Sequence, residues 1–322
     1  MERAADLNRR RLIKGFGLLG ASVGLQTPAV AKRIARSAPF RIITPENSFG
    51  ACDAFSNSFK YTHEQLKNNI VIGRGDSNMW GGKDKEPKPT SYLGYLGEAA
   101  QRKWDVNWRI INHGTPGWDT KYVTAQFEDS KDRQWFNQWK SLDLWLNVGG
   151  NDFMSVVNTI DKAQAAEQLL QNPIDIKTLS YATAIVNAIE SFGENFGKLM
   201  DTVLKLHSSR IQHLVVVSAP NFGKLQRLDS GDIEGETFRF QLEQSMYKRL
   251  FSKVCSGVAI HMNDQMAGVM ERCAEEYPKV RIMAIDTYNF DFNPFEDDEH
   301  FNKQAKLEIP QMAIKRCELI TA

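Results

Sequence analysis

The chain has 322 residues, enough for one large domain or two small ones. Its hydrophobic content of 42% and charged content of 25% are those of an ordinary globular protein. The net charge of +1 lacks the basic excess of a nucleic-acid-binding surface, so no nucleic-acid partner is expected.

The charge is unevenly placed. Residues 1–31 carry +3 and the remainder about −2. Arg9-Arg10-Arg11-Leu12-Ile13-Lys14 precedes a mild apolar run from Gly15 to Leu25, and then Thr27-Pro28-Ala29-Val30-Ala31. A basic region, a short apolar region and a small-residue site describe an export signal. The order resembles a twin-arginine signal, which implies export through that machinery to a periplasmic or extracellular location. The apolar run is too short for the roughly 20 residues a membrane-spanning helix needs. Cleavage after Ala31 is expected, with no membrane insertion of the mature chain.

Residues 32–68 read as an irregular lead-in, with one short strand at 40–43. Beyond it, apolar runs alternate with helical patterns. The strands are expected at 69–73, 106–111, 142–148, 211–218 and 280–286. The helices are expected at 91–103, 123–140, 182–206, 236–254 and 261–276, with a last one over 302–322. Strand alternating with helix predicts an α/β fold, a parallel sheet covered on both faces. Right-handed crossovers then bring the C-terminal ends of the strands to one rim. A polar stretch over 153–179 is expected to be a helical insertion over that rim, which in the widest reading runs to 205. The four cysteines, Cys52, Cys255, Cys273 and Cys317, allow three pairings or none. Cys255 and Cys273 are the nearest pair in sequence, and none has metal-ligand spacing.

Four motifs follow the expected strands. They are Gly75-Asp76-Ser77, Asn112-His113-Gly114-Thr115-Pro116-Gly117-Trp118-Asp119, Gly149-Gly150-Asn151-Asp152 and Asp297-Asp298-Glu299-His300. Each alone is ordinary turn or cap chemistry. Their common position after strands of one sheet predicts that they meet.

In this order the motifs resemble those of the SGNH, or GDSL-type, serine hydrolases, over about 69–302. The resemblance implies a three-layer α/β/α fold with a flavodoxin-like sheet of about five parallel strands, and a catalytic domain over 69–322. It implies Ser77 as nucleophile, His300 as base and Asp297 as its carboxylate partner, with Asp298 and Glu299 as alternatives. Ser77, Gly117 and Asn151 would form the oxyanion hole. Asp76, Trp80, His113, Trp118 and Asp152 are possible pocket residues. Trp80 and Trp118 could equally be rim packing, and His113 is a rival base. The sequence departs from the family pattern at Arg74, at Asn78-Met79 after the serine, and at Phe301, where a proline is frequent.

These residue types suit acyl transfer. A serine hydroxyl becomes a competent nucleophile when a neutral imidazole takes its proton, and a carboxylate holds that imidazole in the right tautomer. The expected activity is hydrolysis of carboxylic esters, of an acylated carbohydrate, a lipid or another acyl ester, through an acyl-serine intermediate. No cofactor or metal is expected. An acyltransferase or a non-catalytic carbohydrate-binding relative of the same fold are the alternatives.

Overall fold

Five short strands, rich in Val, Ile and Leu, form one parallel sheet: β2 (Ile70–Gly75), β3 (Arg109–Gly114), β4 (Leu142–Asn147), β5 (Ile211–Val217) and β6 (Arg281–Ile285). Their spatial order is β3-β2-β4-β5-β6. The computed structural model describes residues 59–81, 91–159, 180–222, 241–296 and 300–320. The expected export signal, most of the lead-in with its strand at 40–43, Cys52, residues 160–179 and Asp297, Asp298 and Glu299 lie outside them.

Two apolar cores sandwich the sheet, giving three layers. On one face Ile72, Leu144, Leu146 and Val216 pack against α4 (Thr120–Glu128), α5 (Ser130–Phe136), α7 (Ser180–His207) and α8 (Gln241–Glu276). On the other, Val71, Trp145, Val215 and Met283 pack against α3 (Tyr92–Trp104) and α9 (Lys303–Lys315). A sheet covered on both faces explains why the central strands β4 and β5 are mainly apolar rather than alternating. From β2 the chain crosses to β3 on one side and then back to β4 on the other. The C-terminal end of β2 is therefore the topological switch point, where open α/β sheets form their crevice.

The structure differs from the sequence expectations in several places. The strand expected at 106–111 lies at 109–114, because Val106 and Trp108 are buried by loop packing. The Trp108 indole N–H donates to Leu66 O at 2.9 Å, and ladder pairing begins only at Arg109. The helix expected over 123–140 is two helices, since Asp129 takes an extended conformation and caps α5 by accepting from the Lys131 and Asp132 N–H groups. The helices expected at 236–254 and 261–276 are one continuous α8. Of the stretch 153–205, α6 (Gly150–Thr159) begins at the rim, 160–179 lies outside the described residues, and α7, expected as a helix at 182–206, lies in the core layer rather than in an insertion, burying Phe196, Leu199, Met200 and Val203.

A second, two-stranded sheet pairs β1 (Phe59–Tyr61) in parallel with β7 (Cys317–Leu319). Both stretches carried other readings, lead-in and helix. The short α1 (His63–Lys67) follows β1 under a capping box from Thr62. A buried carboxylate anchors this corner. Asp143 of β4 accepts from the Tyr61 hydroxyl at 2.5 Å and the Asn69 amide at 2.7 Å, and lies 2.7 Å from His213 Nδ1. Burial of a carboxylate is tolerable only with such partners.

Cys255 and Cys273 both lie on α8, 18 residues apart along one helix. At 1.5 Å per residue that is about 27 Å, which excludes a disulfide within the chain between them. Cys273 and Cys317 are free thiols, and burial pushes the Cys273 thiol up to about 11.

His207, the last residue of α7, is 1% exposed and stacks on Phe136 with centroids 4.6 Å apart. Neither ring nitrogen has a hydrogen-bond partner among the described residues. Burial, and then the charges of Arg210, Arg133 and Arg74, lower its pKa to about 4. The folded protein holds it neutral where the unfolded chain, near 6.5, would protonate it. Its stabilising contribution is therefore complete above about pH 6.5 and is lost as pH falls towards 4, by roughly 2–3 kcal/mol. Urea unfolding between pH 7.5 and 4.5 should show this loss, and His207→Phe, which keeps the ring stack, should flatten that part of the slope. An unchanged slope would assign the acid sensitivity to other groups.

Candidate active site

The rim at the end of β2 is built by backbone first. Gly75 pairs with Gly114 of β3 on one side and Asn147 of β4 on the other. The Asp76 N–H donates to Asn147 O at 3.1 Å, and the Thr115 N–H to Gly75 O at 2.9 Å. The three loops that follow these strands are thus joined before any side chain is considered.

Asp76 ends the strand and caps the short α2 (Ser77–Trp80), its Oδ1 accepting from the Asn78 N–H at 2.9 Å. It is 2% exposed, so it supports the turn from inside. Ser77 is the first residue of α2, at 7% exposure. Helix geometry gives an N–H at this position no intrahelical carbonyl. Asn112 of β3 holds the other end of the turn, donating from Nδ2 to Met79 O at 2.7 Å and accepting the Gly114 N–H at 2.9 Å.

The second loop reaches the same place. Gly117 has φ +82°, and no atom lies within 4 Å of where a Cβ would stand. That conformation favours glycine, and the open space leaves its peptide accessible. Two side chains from the start of α6 fix this loop. The Asn151 amide donates to Trp118 O at 2.9 Å. Asp152 Oδ2 accepts from Thr120 N–H at 3.1 Å and Oγ1 at 2.8 Å. Burial, opposed by these bonds, raises the Asp152 pKa. Asp152 thereby caps α4 from outside the helix, beside the regular N-cap Asp119. Trp118 packs partly buried against the core.

The fourth motif arrives through a small antiparallel closure. Phe295 and Phe301 form a bridge, with the Glu296 N–H on His300 O at 2.8 Å and the Asn302 N–H on Pro294 O at 2.7 Å. The Phe301 N–H donates to Asn78 Oδ1 at 2.8 Å, across 223 residues of sequence. The residue after Ser77 is therefore bonded to the residue after His300, and both Ser77 and His300 are buried. Lys306 of α9 adds a second tie, with Nζ 3.4 Å from Gly81 O and 3.2 Å from Glu296 Oε1. Sequence reading missed Asn78, Lys306 and Glu296. The departures from the family pattern at Asn78 and Phe301 were the available signal.

His113 lies elsewhere. It stands opposite Arg74 in the β2–β3 register and packs edge-on to Trp135 of α5, with centroids 4.7 Å apart. Burial, and then Arg74, lower its pKa. It belongs to the α4–α5 face, whereas Phe301, next to His300, belongs to the core on the opposite face. Arg74 itself is buried, 3.1 Å from Asp132, hydrogen-bonded to Gln126 at 3.0 Å and set over Phe127 and Phe136. Among the described residues no group of three or more His, Cys, Asp or Glu could hold a metal ion.

No protein-family model and no curated protein matches the chain. Solved structures with a similar fold include a lipase from a goat rumen metagenome, at 9% identity and TM-score 0.46, covering 77% of this chain and 97% of that one. An acetyl xylan esterase from Geobacillus stearothermophilus is similar at 13% identity and TM-score 0.44, covering 80% and 100%. An extracellular lipase from Streptomyces rimosus is similar at 15% identity and TM-score 0.43, covering 76% and 99%. The class defined by the strand order and layers of this chain is a three-layer α/β/α protein with serine and histidine motifs meeting at the switch point of its sheet.

Proposed function

We propose that the protein is a serine esterase of the SGNH type. The observation that carries this reading is the 2.8 Å bond from Phe301 N–H to Asn78 Oδ1, which joins the Ser77 turn to the His300 loop at the sheet's crevice. In this reading Ser77 Oγ attacks the ester carbonyl carbon while its proton passes to His300. The C–O bond breaks, and the alcohol leaves with the proton from His300. Water, deprotonated by His300, then attacks the acyl-serine, and the carboxylate product leaves as Ser77 regains its proton.

Negative charge on the former carbonyl oxygen needs donors set in advance. The Ser77 and Gly117 N–H groups and the Asn151 amide supply them. The bond from Asn151 to Trp118 O uses one amide hydrogen, which leaves the second for the oxyanion and fixes the side chain beside Gly117. Such donors cost nothing to reorganise during reaction. Asp297 is the proposed partner of His300 on its three-residue spacing, which favours it over Asp298 and Glu299. Export of the mature enzyme remains part of the proposal, on the strength of the N-terminal sequence.

Hydrolysis of p-nitrophenyl esters of increasing acyl length tests the reading. Turnover that is absent in Ser77→Ala supports it. Equal turnover in Ser77→Ala would overturn it.

A further inference from the structure

We infer that Asn78 is a positioning residue that sets the His300 loop against the nucleophile turn; the functional part of this inference rests on the esterase reading. In the antiparallel closure, the Glu296 and Asn302 N–H groups and the His300 and Pro294 carbonyls point inward and satisfy one another. The Phe301 N–H between them points outward. Phe301 is fully buried, and a buried N–H must find a partner. Asn78 Oδ1 is that partner. Asn78 is buried too, and its own N–H is held by Asp76 Oδ1, so its backbone is fixed by the cap under Ser77. At the other end of α2, Lys306 joins Gly81 O to Glu296 of the same closure. The short helix bearing Ser77 is thus clamped to the loop bearing His300 at both ends. The Asn78 clamp is the nearer, one residue from each reacting group.

An aliphatic side chain at 78 would leave the Phe301 N–H buried without an acceptor and free the loop to shift. A misplacement of about 1 Å between reacting groups costs on the order of 100-fold in rate. Asn78→Leu tests this, with Asn78→Ala carrying the same comparison if leucine prevents folding. Asn78→Asp serves as the conservative variant, since it keeps the acceptor oxygen. The first readout is amide hydrogen exchange at Phe301, which is independent of activity. It should quicken at least about 10-fold in Asn78→Leu and stay slow in Asn78→Asp. The second is p-nitrophenyl acetate kinetics. Asn78→Leu should lower kcat about 10- to 100-fold with KM changed less than about 3-fold. Asn78→Asp should keep most of kcat, with its pH profile moved upward because a nearby carboxylate favours the imidazolium.

Unchanged Phe301 exchange in Asn78→Leu or Asn78→Ala would overturn the clamp. Altered exchange with wild-type kcat would overturn its positioning role. A wild-type protein without turnover would instead count against the esterase reading, and the exchange measurement would still decide the clamp.

Discussion

Replacing His300 by alanine is expected to lower kcat for ester hydrolysis about 10⁴-fold, the upper range for loss of a general acid–base group. The reason is chemical. In the proposed mechanism His300 takes the Ser77 proton and protonates the departing alkoxide, so its loss removes both base and acid. His113→Ala provides the internal comparison. That side chain packs on Trp135 in the opposite layer, so its removal should leave kcat within a few-fold of wild type. Steady-state kinetics on both variants decides between the two histidines. A loss in His113→Ala matching that in His300→Ala would reverse the assignment.

The largest structural effect is expected at Gly75. A Cβ there would stand 2.1 Å from Asn147 O and 2.9 Å from Asn147 C, both backbone atoms of the adjacent strand. No rotamer change can relieve such a clash, so β2 must move away from β4. Gly75→Ala should therefore cost about 3 kcal/mol of stability, the upper end for overpacking. It should also weaken the bond from the Asp76 N–H to Asn147 O that sets the turn under Ser77. Urea unfolding measures the first effect and ester turnover the second. Gly117→Ala is the contrast. There the space is open and only the positive φ is unfavourable, so stability should fall by about 1 kcal/mol. A wild-type midpoint for Gly75→Ala would show that the sheet can widen there at no cost.

Much of this architecture was legible in the sequence because the sheet is buried on both faces. Strands such as 142–147 and 211–217 read as mainly apolar runs between helical periods, interrupted at Asp143 and at Gln212 and His213, and the motifs that follow them share a rim for topological reasons. Local apolar content cannot tell strand pairing from loop burial, which is why β3 was displaced towards Val106 and Trp108. Three-residue strands such as β1 and β7 carry no periodicity at all, and their anchor at Asp143 depends on Tyr61, Asn69 and His213 from three separate segments. The groups proposed to react stand out in the sequence, and their supports do not. Ser77, Gly117, Asn151 and His300 sit in short local patterns. The Asn78–Phe301 bond spans 223 residues, and the two departures from the family pattern that mark its ends do not show in the sequence that they pair. Asp76 and Asp152 were read as pocket residues, yet each caps a helix at the rim, Asp76 under α2 and Asp152 at α4. A turn that must hold one hydroxyl in place needs such caps, and sequence alone does not separate a capping acid from a lining one.

The central claim is that Ser77 is an activated nucleophile. Reaction of the folded protein with a fluorophosphonate, read by intact mass and peptide mapping, tests it most directly. One adduct per chain on the peptide containing Ser77, absent in Ser77→Ala and strongly slowed in His300→Ala, is the expected result. No adduct on folded protein, or an adduct that persists in Ser77→Ala, would contradict it.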